Sequence, residues 1–191
     1  MEAFLISTGA IAVAELGDKT QIIALLLAAR FRRPGPVLLG IAIASLASHA
    51  LAALAGVWIG HYLSARRLDW ILGLSFLGVA VWACLPEKIA PAEAQPKAAR
   101  FGALVSTALS IFVAEIGDRT QIATIALAAH YQEWAQVVLG STLGMVIANL
   151  PAVLLGHWAG ERLPIRLIRA LAAVVFALLG LWIVYRAIFG A

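Results

Sequence analysis

A single cysteine, Cys84, stands in the whole chain, which excludes an intrachain disulfide and any thiolate metal cluster. Cys84 lies in an apolar run and reads as a small packing residue. Methionine is almost as scarce, with two residues. Charge is the larger deficit. Asp, Glu, Lys and Arg make up 13% of the 191 residues while 63% are hydrophobic, and mean hydropathy is +0.95. Soluble domains sit near about 25% charged and 45–50% apolar. The balance excludes a soluble helical core and places the chain in a lipid bilayer. The net charge of +4 is no signature of nucleic-acid binding, because most Lys and Arg fall in short segments between apolar runs, where they orient membrane helices. The first fourteen residues carry Glu2 and no Lys or Arg, and the apolar run continues beyond them, so they read as an uncleaved first helix rather than a signal peptide.

What is abundant is apolar length. Spanning the hydrocarbon core takes roughly 20 helical residues, and six candidates follow at residues 3–29, 36–61, 68–86, 102–129, 135–160 and 167–189. The fold class expected is an all-α membrane protein in one transport domain, residues 1–191. Residues 87–101 form an Ala-, Pro- and charge-rich linker. Arg30, Arg32, Arg33, Lys88, Lys97, Arg100, Arg162, Arg166 and Arg169 fall on one side, against Arg66, Arg67 and Arg186 on the other. The positive-inside rule then sets both termini outside the cytoplasm and the linker inside. Trp58, Trp70, Trp134, Trp158 and Trp182 sit near span ends, as interfacial aromatics do.

The chain repeats itself at an offset of 100 residues without a gap. AELGDKTQ at Ala14–Gln21 returns as AEIGDRTQ at Ala114–Gln121, and Gly56, Trp58, Gly60, Phe76 and Trp82 return as Gly156, Trp158, Gly160, Phe176 and Trp182. Repeat one is residues 1–91 and repeat two 101–191. Each holds three spans, an odd number, so the second enters the membrane in the opposite sense. Six transmembrane helices in two inverted three-helix repeats are a recurring transporter architecture, with substrate sites near the midplane at the repeat interface.

The repeated strings carry the chemistry. Glu15 and Asp18 are three residues apart and share a helix face, as do Glu115 and Asp118. Inverted symmetry lets the four carboxylates converge. Each costs a few kcal/mol at the bilayer centre, and a divalent cation relieves both that cost and their mutual repulsion. Hard cations take oxygen ligands, and Thr20, Gln21, Thr120 and Gln121 offer further oxygens. Gly17 and Gly117 weaken the helix between the acids. No Cys or Met stands beside either string, which disfavours soft metals. Lys19 and Arg119 follow the glutamates at i,i+4, a favourable pairing. They tune the charge of the site and are not expected to ligate metal. The competing account is a structural ion-pair cluster clasping two helices.

Carboxylates that bind either metal or protons are the minimum device for cation/proton exchange. Ca²⁺/H⁺ exchange and a passive divalent-cation channel use the same residues. An intramembrane hydrolase does not fit, since no nucleophile or second catalytic group accompanies the acids, and no enzyme activity or resident cofactor is expected. Ser45, Ser48 and His49 lie inside the second span, with Asn149 at the position equivalent to His49. A histidine there is most simply a packing residue; cation ligation and proton transfer are the functional alternatives for His49 and Asn149. His61, His130 and His157 lie near span ends. The glycines at 40, 56, 60, 140, 144, 156 and 160 suit close helix packing, and Pro151 suits a kink.

Two copies of Glu-apolar-Gly-Asp-Lys/Arg-Thr/Ser in a three-plus-three chain resemble the transmembrane protein 165 family. The copies here are Glu15-Leu16-Gly17-Asp18-Lys19-Thr20 and Glu115-Ile116-Gly117-Asp118-Arg119-Thr120. The resemblance covers essentially the whole chain. It implies transport of Mn²⁺, and in some members Ca²⁺, in exchange for H⁺, with the motif acids as the cation site. Bacterial members are associated with Mn²⁺ export. Lacking the longer N-terminal region and central loop of eukaryotic members, the chain is expected in a bacterial plasma membrane. Its partners are then the lipid bilayer and the divalent ion; the sequence is silent on a homo-oligomer.

Overall fold

A computed structural model describes residues 1–84, 102–158 and 165–189. The 87–101 linker lies outside them, as do Gly160 and Arg162, and the side chains of His157, Trp158, Arg166 and Arg169 are also outside the description. The described residues form eight helices: α1 Glu2–Glu15, α2 Lys19–Phe31, α3 Pro34–Gly60, α4 Ala65–Cys84, α5 Gly102–Glu115, α6 Arg119–Tyr131, α7 Trp134–Trp158 and α8 Ile165–Phe189. Among the described residues, four stretches are long and apolar enough to cross a membrane: Pro34–Gly60, Ala65–Cys84, Trp134–Gly156 and Ala170–Phe189.

The stretches expected as the first and fourth spans are each divided. α1 ends at Glu15 and α2 begins at Lys19; α5 ends at Glu115 and α6 begins at Arg119. Gly17 and Gly117 take φ of 73° and 74°, a left-handed conformation that costs any residue with a Cβ. The helix restarts because Asp18 and Asp118 act as N-caps, each accepting from the Thr two residues on. An aspartate there satisfies an amide that has no helical partner. Both α2 and α6 then end on a left-handed residue, Arg32 (φ 51°) and Gln132 (φ 55°), and Pro34 opens α3 at a position where its missing N–H costs nothing.

The two repeats interlock. α3 packs on α5 and α6 of the other repeat, and α7 packs in the same way on α1 and α2. α4 lies along α8, and α3 along α7. Among the described residues, contact within one repeat is confined mainly to α2 on α3 and α6 on α7. Equivalent residues meet where the halves cross: Phe76 and Phe176 stack edge to face, centroids 5.2 Å apart. Glycines allow the approach. A Cβ at Gly40 would stand 2.7 Å from Leu104 O, and one at Gly144 would stand 2.5 Å from Thr8 O. Water offers no drive between helices in lipid, so such close backbone packing carries the association. The outer surface is correspondingly apolar, with Leu51, Leu54, Trp58, Val81, Leu178 and Trp182 exposed.

Candidate metal centre

The two helix breaks bring their acids together at the centre of this interlock. Glu15, Asp18, Glu115 and Asp118 are all buried. Glu15, Asp18 and Asp118 each offer a carboxylate oxygen within 4.8 Å of the others, a spacing suited to one metal ion. Glu115 stands outside that triad, and its Oε1 accepts from Ser45 Oγ at 2.9 Å. The convergence expected of four carboxylates at a point is therefore three plus one. The means also differs from a shared helix face: Glu15 closes one helix and Asp18 caps the next, so the break itself turns the two side chains together.

Several acceptors are left over. Glu15 Oε2, Glu115 Oε2 and Asp118 Oδ1 are buried with no hydrogen-bond partner among the described residues, and so is Asn149 Oδ1. An unpaired buried acceptor costs about 1–3 kcal/mol, more when charged. Acceptors without donors are the donor set that a hard cation takes.

Arg119 pairs with Asp18 of the other repeat, not with Glu115 four residues back, from which the break separates it. The pair is fully buried, and Arg119 Nε has no partner among the described residues. Lys19, its repeat equivalent, is half-buried. The remaining polar residues of the strings brace the breaks. Thr20 and Thr120 donate through Oγ1 to Asp18 and Asp118 at 3.2 and 3.1 Å. Gln21 Oε1 accepts from Gly17 N at 2.9 Å and Gln121 Oε1 from Gly117 N at 3.0 Å. Their amide nitrogens reach the facing repeat, Gln21 to Ala148 O and Gln121 to Ser48 Oγ, both at 2.7 Å. In this arrangement the glutamine oxygens offered as ligands are occupied by backbone amides.

Asn149 Nδ2 lies 3.4 Å from Glu15 Oε1 and donates to Met145 O at 3.0 Å. His49 is fully buried, and neither ring nitrogen has a partner among the described residues. Ser45 and Ser48, secondary in the sequence, are direct partners of the motif residues Glu115 and Gln121. Their signal was the spacing 45, 48, 49, which puts all three on one face of an otherwise apolar helix. His61 and His130 sit at helix ends, His61 beside Gln132 at 2.8 Å and His130 with Nδ1 3.2 Å from Asp69 Oδ1.

The model of the family described as "Divalent cation/proton antiporter GDT1" matches twice, over residues 3–90 and 103–190. The chain belongs to that family. It is the transmembrane protein 165 family that the doubled motif indicated, a family of transporters and not of enzymes. A candidate manganese exporter of Vibrio cholerae is 43% identical over 95% of this chain and 90% of its own length. A GDT1-like protein of Synechocystis is 35% identical over 95% of this chain and 98% of its own. The divalent cation/proton antiporter GDT1 of Saccharomyces cerevisiae is 27% identical over 98% of this chain and 85% of its own. No solved structure matches the chain. The family model matches once in each half of the chain, and the chain is a multi-pass membrane protein.

Proposed function

We propose that the protein exports Mn²⁺ from the bacterial cytoplasm across the inner membrane in exchange for H⁺, at a site made by Glu15, Asp18 and Asp118 with Glu115 beside them. The observation that carries this reading is the buried triad assembled from both repeats at their helix breaks. Identity to the Vibrio protein supports manganese as the cargo and export as the direction; the family supports the proton as counter-ion.

In this reading α1 with α2, and α5 with α6, are two broken spans, giving six spans in two inverted repeats. Lys and Arg asymmetry sets the termini outside and the 87–101 linker in the cytoplasm. Broken helices at the midplane are where transporters place their sites, since irregular backbone is tolerated there only in a cavity or within protein. With all acids ionised, four carboxylates and the two cations Lys19 and Arg119 leave a formal charge of −2. One divalent cation or two protons neutralises it. Exchanging one for the other spares the low-dielectric interior an uncompensated charge, which is costly there. Ca²⁺/H⁺ exchange uses the same acids, whereas a passive channel needs no such balance.

The test is flux into liposomes holding a metal-sensing dye, with Mn²⁺ or Ca²⁺ outside and with or without an imposed pH gradient. Uphill Mn²⁺ movement driven by the gradient and lost in Asp18→Asn and Asp118→Asn is the expected outcome. Downhill flux indifferent to pH identifies a channel. No flux from a folded parent leaves the acids as a structural clasp.

A further inference from the structure

Resting on that cation site, we infer that His49 supplies a nitrogen ligand to the transported ion and selects a first-row transition cation over Ca²⁺ and Mg²⁺. His49 is fully buried on α3, and among the described residues both ring nitrogens lack partners. A buried imidazole left unpaired is costly, so its position is informative.

The contacts along α3 fix its level. Gly40 meets Leu104 and Thr107 of α5, Ser45 meets Glu115, Ser48 meets Gln121, and Gly56 packs against Ala128 and Ala129 of α6. His49 is one turn beyond Ser45 and adjacent to Ser48, which places it beside the Glu115–Arg119 break. Repeat symmetry gives the same answer independently: Asn149, its equivalent on α7, lies against Glu15. Asn149 reaches a motif glutamate, and His49 holds the equivalent place on the facing helix; each retains an acceptor unpaired among the described residues, Asn149 Oδ1 on one side and an imidazole nitrogen on the other.

The exchange of His for Asn is one chemical difference between the two half-sites, beside Ser45 for Met145 and Ser48 for Ala148. Ca²⁺ and Mg²⁺ take oxygen ligands, whereas a nitrogen ligand is open to the first-row divalent cations, Mn²⁺ binding most weakly of that series. An oxygen-rich site with one nitrogen therefore holds Mn²⁺ at the expense of the more abundant hard cations, a discrimination that carboxylates alone do not supply.

Untagged full-length protein with Mn²⁺ bound, studied by pulsed electron paramagnetic resonance, gives a direct reading. The expected result is a nitrogen coupling in the parent that is lost in His49→Asn while Mn²⁺ stays bound. In liposomes the same variant loses its preference for Mn²⁺ over Ca²⁺ by about tenfold or more, the scale of perturbing a metal's ligand environment. Should His49→Asn not fold, a variant keeping His49 with His61, His130 and His157 all changed to Gln must retain the coupling. Bound Mn²⁺ without nitrogen coupling, coupling that survives His49→Asn, or coupling lost in the triple variant would overturn the assignment and leave the carboxylate site standing. A parent that binds no Mn²⁺ overturns both.

Discussion

Arg119 is the largest fully buried side chain among the described residues, and its one ionic partner is Asp18 of the other repeat. Removing either member breaks a buried ion pair, at about 3–5 kcal/mol. Asp18→Asn and Arg119→Gln are each expected to lower the unfolding temperature in detergent sharply, and the double variant to lie well above the sum of the two losses. Strict additivity in this cycle would mean that the pair contributes nothing to folding. Arg119→Lys keeps the cation, as Lys19 does at the equivalent place, and is expected to fold. Transport separates from stability here: the double variant lacks a carboxylate of the triad and is expected to carry no Mn²⁺ even where it melts normally. The doubled motif made the acids legible as a cluster. That Arg119 crosses to Asp18 was not legible, because i,i+4 spacing argued for Glu115 and only the break at Gly117 removes that option.

At the level of the helix, glycines divide into those that permit an approach and those that do not. A Cβ at Gly144 would stand 2.5 Å from Thr8 O and 2.9 Å from Ala12 N, whereas one at Gly78 meets nothing within 4 Å. Gly144→Ala must push α7 away from α1, at roughly 1–3 kcal/mol for overpacking, and Asn149 lies farther along the same helix against Glu15. The expected outcome is a lower melting temperature and slower Mn²⁺ flux. Gly78→Ala on α4 is expected to be neutral or stabilising by up to about 1 kcal/mol, with flux unchanged. Equal effects from the two would remove the packing account. The sequence marked Gly144 as a packing glycine and left its partner unnamed, since the neighbour that decides is a backbone more than 100 residues away.

Across the whole molecule, the repeats have no independent cores. α3 finds its partners in α5 and α6, and α7 in α1 and α2, so a lone half would expose the faces that carry its packing. Residues 1–91 and 101–191 expressed separately are each expected to fail as stable monomers in detergent, and to co-purify and restore Mn²⁺ flux when expressed together. A half that is monodisperse and monomeric alone would contradict the interlocked arrangement. The near-symmetry is also incomplete. The first break is enclosed, with Gly17 buried, while Gly117 and Ile116 of the second reach the surface.

Membrane residence, the duplication and the identity of the acids were decided by sequence alone, because hydropathy, an ungapped offset and a doubled motif are properties of the chain read in order. The helix breaks were half legible, since glycine is permissive without being a command; the Asp caps and Gln braces complete them. Which acids come together was decided by the tertiary structure. Glu15, Asp18 and Asp118 meet, and Glu115 turns to Ser45, because a carboxylate follows the hydrogen-bond donors of the helix it faces. Ser45 has Met145 as its repeat equivalent, so the facing helices offer the two glutamates different donors. That difference comes into play only once α3 and α7 have crossed into the other repeat.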